Sequence, residues 1–137
     1  MKKLILFITA INAIAVMFYF SSRNADISSR QSKMVLDFIL NFGFETNSYF
    51  IRKFAHFIIF TLIGFCVSMF IGSCIETNLI TLIISFIISS GYACVDEYIQ
   101  TFIPGRSGNI GDVMIDICGV IVGLFLYLII NYIISNN

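Results

Sequence analysis

Charge is scarce in this sequence. Lys, Arg, Asp and Glu make up 12% of its 137 residues, against roughly 25% in ordinary soluble domains. So few charges cannot coat a soluble surface of this size. The 58% of apolar residues needs a solvent that tolerates exposed Leu, Ile and Phe, and lipid is that solvent. The formal net charge is zero and there is no basic stripe, so no field draws nucleic acid and no such partner is expected. Motifs of the common enzyme classes are missing too. There is no G-x-S-x-G elbow, no P-loop, no dinucleotide fingerprint and no H-E-x-x-H, and no cofactor is expected. The four cysteines, Cys66, Cys74, Cys94 and Cys118, never form a C-x-x-C pair. They read as packed or lipid-facing thiols rather than ligands or disulfides. Without repeats, low-complexity stretches or a linker, residues 1–137 read as one domain.

What the sequence does have is apolar length. Four stretches, near 4–21, 54–75, 79–95 and 113–134, are long enough to cross a bilayer core, which needs roughly 17–25 mostly apolar residues. Each must satisfy its backbone hydrogen bonds within itself, which predicts helices, and none alternates as a barrel strand would. The start, Met1-Lys2-Lys3 before an apolar run, resembles a secretory signal, and Ala13-Ile14-Ala15 imitates a cleavage site. The run continues to Phe20, however, so a retained first span is expected. The fold class is therefore an all-α integral membrane bundle of four transmembrane helices.

The connections differ from one another. The second, near 72–78, is short and makes spans two and three antiparallel neighbours. The third holds the single proline, in the turn dipeptide Pro104-Gly105. The first is long, and Met34, Val35, Phe38, Ile39 and Phe42 recur there at helical spacing opposite Arg30, Lys33 and Asp37. An amphipathic helix near 29–42, capped by Ser28 or Ser29 and ended by Gly43, is expected in the membrane interface. Packing over the mouth of the bundle is the alternative. Lys2 and Lys3 favour an N-terminus inside. The raw count of Arg23, Arg30, Lys33, Arg52 and Lys53 favours the reverse unless Arg52 and Lys53 are paired internally.

Polar residues interrupt this pattern at three span ends. Arg52, Lys53 and His56 open the second span and, at spacings of three and four, share a helical face. Asp96, Glu97 and Gln100 close the third, behind a stripe of Ser85, Ser89 and Tyr92. Asp112 and Asp116 begin the fourth, followed on the same stripe by Gly119 and Gly123, a G-x-x-x-G pair that predicts close helix contact. Helix–loop alternation brings these three ends, with Arg106 from the loop, to one face of the membrane. An acid near an apolar span costs about 2.5–3.5 kcal/mol near mid-bilayer, less towards the edge, unless it finds a partner. Each group has a plain structural reading: a hydrogen-bonded histidine, a solvated span end, an ion-pair network. The constellation together points to function. One histidine among carboxylates would suit a hard cation, but Arg52, Lys53 and Arg106 oppose one, and no metal is expected.

The motifs Phe20-Ser21-Ser22, Arg52-Lys53-x-x-His56-Phe57, Asp96-Glu97-x-x-Gln100, Pro104-Gly105-Arg106 and Asp112-Val113-x-x-Asp116-x-x-Gly119 stand in an order and spacing similar to the VanZ-like family of bacterial membrane proteins. That family is named for a member linked to teicoplanin resistance. The resemblance covers nearly the whole chain. It implies a multi-pass protein of the bacterial cell membrane, acting at the cell envelope, and it supplies no reaction. Three functions compete. A non-enzymatic protein would bind an amphiphilic, anionic, lipid-linked cell-wall precursor or glycopeptide-related ligand. Its binding positions would be Arg52, Lys53, Gln100, Arg106, Asp112 and Asp116, with membrane lipid around its grooves. An intramembrane enzyme would use His56 with Asp96 or Glu97 as a general acid–base pair. A proton- or cation-coupled transporter would use the acids as a relay and, with four spans, would need a homo-oligomer.

Overall fold

The computed structural model describes residues 1–40, 47–75 and 78–136, and for 38 and 39 the backbone alone. Its elements are α1 (Lys2–Ser21), α2 (Ala25–Leu40), α3 (Ser48–Cys74), α4 (Leu79–Gln100) and α5 (Ile110–Ser135). No strand occurs among the described residues. Helices α1, α3, α4 and α5 are each long and apolar enough to cross a membrane, as the hydropathy pattern predicts. Leu62, Ile87, Phe125 and Ile129, among many other apolar side chains on these helices, point outwards, as a lipid-solvated bundle requires.

The helices do not stop where the apolar runs stop. The spans expected near 54–75, 79–95 and 113–134 begin or end several residues further out, in polar sequence. Local capping sets the starts. The Asn47 side chain accepts from the Phe50 N–H, that of Asn78 from Thr81 and that of Asn109 from Gly111, each satisfying a donor that a helix start leaves orphaned. The extension of α4 is at its other end, where it runs on to Gln100 before the chain turns. Arg52 and Lys53 therefore lie on the first turns of α3, and Asp96, Glu97 and Gln100 on the last turns of α4.

Helices α3 and α5 make the most extensive contact in the bundle, and small residues make it possible. A Cβ added at Gly119 would lie 2.5 Å from the Phe57 carbonyl oxygen, and one at Gly123 would lie 2.3 Å from that of Thr61. The two backbones touch there, as the G-x-x-x-G spacing predicts. On α4 the buried stripe runs Thr81, Ser85, Ser89, Ala93, Asp96 and Gln100. Tyr92 flanks it, half-buried. Phe60, Ile63, Val67 and Val120 fill the centre, with Ala10 and Met17 contributed by α1. All four cysteines are free, three of them exposed and Cys66 half-buried.

The amphipathic helix starts earlier than expected. It begins at Ala25, with the Ser28 N–H bonding to the Asn24 carbonyl. Ser28 and Ser29 thus lie inside α2 and do not cap it. Ser28 and Ser32 are buried, with the Ser32 hydroxyl donating to the Ser28 carbonyl. That buried side covers the N-terminal turns of α3, while Ile27 and Met34 stay exposed. Packing over the bundle mouth is thus part of what α2 does. The expected Phe42 contact and Gly43 terminus lie outside the described residues.

Candidate functional site

The polar groups meet at the end of the bundle where α3 and α5 start and α4 ends. His56 stands one turn beyond Arg52 on α3, facing Asp96 of α4 and Asp116 of α5. Its Nδ1 lies 3.6 Å from Asp116 Oδ1 and 3.9 Å from Asp96 Oδ2. Both carboxylates are fully buried, and His56 keeps about a fifth of its side chain exposed. Gln100, one turn on from Asp96, donates from Nε2 to Asp96 Oδ2 at 2.9 Å. Asp96 Oδ1 and both oxygens of Asp116 accept no hydrogen bond from the described residues.

The remaining charges are engaged around this centre. Lys53 donates to Asp112, each about one-fifth exposed, and its ammonium also lies over the Tyr49 ring at 4.6 Å. Glu97, also buried, accepts the Asn109 N–H through Oε1 at 2.6 Å. This bond ties the last turn of α4 to the residue that caps α5. The loop between them is shaped by its turn dipeptide. Gly105 has φ +77°, and the Arg106 N–H bonds back to the Ile103 carbonyl at 3.0 Å. Proline second and a positive-φ glycine third is the pattern of a type II turn. The turn delivers Arg106 across the bundle, where its guanidinium donates to the Ser21 carbonyl at the end of α1, 3.0 Å away. Arg106 Nε is buried without a partner among the described residues. Burial first, and then the neighbouring Arg52, pull the Arg106 guanidinium below its ordinary value, while Asp96 and Glu97 oppose the shift. A guanidinium so shifted still carries its charge at neutral pH.

Two cavities adjoin the cluster and share Phe20, Ala55 and His56 in their walls. One, of about 200 Å³, lies under α2 and is lined also by Ser28, Gln31, Arg52 and Arg106. The other, of about 380 Å³, is almost wholly apolar and runs between α1 and α3 along Met17, Ile58, Ile59 and Leu62.

All nine residues singled out from sequence therefore fall at one end of the bundle, in three different settings. His56, Asp96, Asp116 and Gln100 form the buried centre. Lys53, Asp112 and Glu97 are taken up by an ion pair and a helix junction. Arg52 and Arg106 turn towards the cavity under α2. Sequence reasoning missed Ser21, whose carbonyl anchors Arg106, and Asn109, which joins α4 to α5. Ser21 belongs to the Phe20-Ser21-Ser22 motif, and an Asn just before a helix carrying Asp in its first turn is a capping signal. Ser28 and Ser32, which line the cavity under α2, carried no signal beyond their helical spacing.

The fold and this end cluster define a four-span membrane protein with a buried acid–histidine centre beside an arginine-lined cavity. The chain belongs to the VanZ/LLP1 family, whose model matches residues 6–131, nearly its whole length. No curated protein and no solved structure matches it.

Proposed function

We propose that this protein recognises an anionic amphiphile of the bacterial cell envelope, a lipid-linked cell-wall precursor, and thereby lowers sensitivity to teicoplanin-type glycopeptides. The observation that carries the reading is the pair of adjoining cavities. Arg52 and Arg106 approach one another closely enough to repel and line a single cavity. Neither forms an ion pair with an acid among the described residues. Two neighbouring guanidiniums that make no ion pair of their own suit a phosphate or pyrophosphate headgroup. The apolar cavity beyond Phe20 and Ala55 suits the hydrocarbon tail. Lys53, expected beside them, is occupied by Asp112, so the headgroup contacts belong to the arginines.

The reading takes Lys2 and Lys3 as inside and the polar end of the bundle as facing outwards, where cell-wall units are assembled. Discounting the paired Lys53 still leaves Arg23, Arg30, Lys33, Arg52 and Arg106 at that end, so the positive-charge count alone favours the reverse. The test is teicoplanin susceptibility of a sensitive bacterium carrying the original chain or Arg106→Ala at matched membrane level. Protection by the original that is lost in the variant supports the reading, and equal protection by both sinks it.

A second reading, an acid–base enzyme acting on a lipid head group or cell-wall peptide, draws support from His56 standing between two buried carboxylates. Its signature is a bell-shaped pH dependence of turnover that disappears in His56→Ala. Turnover that survives His56→Ala ends it.

A further inference from the structure

We propose that His56, Asp96 and Asp116 form a binding site for one divalent cation of the harder kind, held where α3, α4 and α5 meet. This reverses the expectation from sequence that no metal is bound, and it stands independently of the amphiphile reading.

The argument begins with acceptors left over. Asp116 is fully buried and neither of its oxygens accepts a hydrogen bond from the described residues. Asp96 is fully buried with Oδ1 in the same condition, and His56 Nδ1 is buried without a partner. Buried carboxylates are ordinarily hydrogen-bonded, paired or bound to metal. Unsatisfied Asp116 Oδ1 lies 3.6 Å from unsatisfied His56 Nδ1, and the nearer Asp96 oxygen is Oδ2, 3.9 Å from Nδ1. One ligand atom from each of the three residues lies within 4.8 Å of the other two.

The spacing accommodates an ion. Nδ1 stands 3.6 Å from Asp116 and 3.9 Å from Asp96, longer than a direct hydrogen bond at about 2.7–3.2 Å. Around a cation with ligands at about 2.1 Å, neighbouring donor atoms lie roughly 3–4.2 Å apart. Both separations fall in that interval.

Two of the three cations that seemed to oppose a metal have partners of their own. Lys53 is held by Asp112 and Arg106 donates to the Ser21 carbonyl, while Arg52 lines both the cavity under α2 and the gap beside Asp112 and Asp116. Gln100 fixes the Asp96 carboxylate through Oδ2, the orienting contact that metal-bound carboxylates commonly have. An imidazole nitrogen with two carboxylates and no thiolate selects for ions such as Mn²⁺ or Mg²⁺ over soft ions.

The experiment uses the full chain, purified in detergent, stripped with a chelator and titrated with Mn²⁺ while free aqueous Mn²⁺ is followed by electron paramagnetic resonance. One bound Mn²⁺ per chain is expected, weakened at least tenfold in Asp116→Asn and in Asp96→Asn. Asp112→Asn removes a carboxylate at the same membrane end but outside the trio, and should stay within threefold of the original. Helicity and elution volume verify folding, and His56→Gln serves if an acid-to-amide variant misfolds. No Mn²⁺ binding by the original chain overturns the proposal. So does an equal loss in Asp112→Asn and Asp116→Asn, which would mark nonspecific attraction to acidic groups.

Discussion

Replacing Gly123 by alanine should pry the bundle apart at its tightest seam. The added Cβ would stand 2.3 Å from the Thr61 carbonyl oxygen and 2.7 Å from the Phe65 nitrogen, both backbone atoms of α3. A carbon–oxygen contact is comfortable at about 3.3 Å, so α3 and α5 must separate by roughly 1 Å. A gap of 0.5–1 Å forfeits about a quarter to a half of each dispersion contact it opens. Overpacking of this kind typically costs about 1–3 kcal/mol. Gly91 on α4 supplies the control, because a Cβ there meets nothing within 4 Å. Its alanine variant should be neutral or slightly more stable, since alanine favours helix over glycine by up to about 1 kcal/mol. Denaturant unfolding in a fixed detergent, read by helicity, measures both. Stabilities of Gly123→Ala and Gly91→Ala that agree within about 0.5 kcal/mol would refute the close-approach argument, since changes that small are typical of uninvolved positions.

Other expectations rest on contacts around the site. Lys53→Met breaks the pair with Asp112, and with both partners about one-fifth exposed the loss should fall near 1–3 kcal/mol, between exposed and buried pairs, in the same unfolding assay. Glu97→Leu strands the Asn109 N–H, which Glu97 accepts at 2.6 Å, and should cost about 1–3 kcal/mol. Glu97→Gln keeps an acceptor and should recover most of that stability. Gly105→Ala forces a side chain into φ +77° with its Cβ 2.9 Å from that of Ala25, so it should cost about 1–2 kcal/mol. Faster proteolysis of the 101–109 loop in Gly105→Ala would confirm that the turn holds the loop down.

Much of this arrangement was legible in the sequence because lipid narrows the choices. A long apolar run must be helical, and four runs with short connections dictate which ends meet. Asp96, Asp112 and Asp116 could be assigned to one end on that ground alone, and Gly119 and Gly123 to a helix contact. Pairings were not legible. Lys53 and Arg52 are adjacent and chemically alike, yet the 100° turn between them sends one to Asp112 and the other to the cavity under α2. Hydropathy also ends a helix at its first charges, so it missed the polar turns of α3 and α4, whose limits are set by capping at Asn47 and by the turn after Gln100. The trio of His56, Asp96 and Asp116 has no sequence spacing to betray it, because its members come from three helices. The role of Ser21 was hidden for another reason: its backbone carbonyl, not its side chain, meets Arg106.

The account's central claim is that Arg52 and Arg106 hold an anionic headgroup whose tail lies between α1 and α3. Its most direct test is the affinity of the protein, in neutral-lipid nanodiscs, for a long-chain prenyl pyrophosphate, measured beside Arg52→Ala, Arg106→Ala and a tail-groove variant, Ile59→Asn. Losses of at least tenfold in all three, at unchanged helicity, are expected. Equal affinity in both arginine variants would contradict the claim.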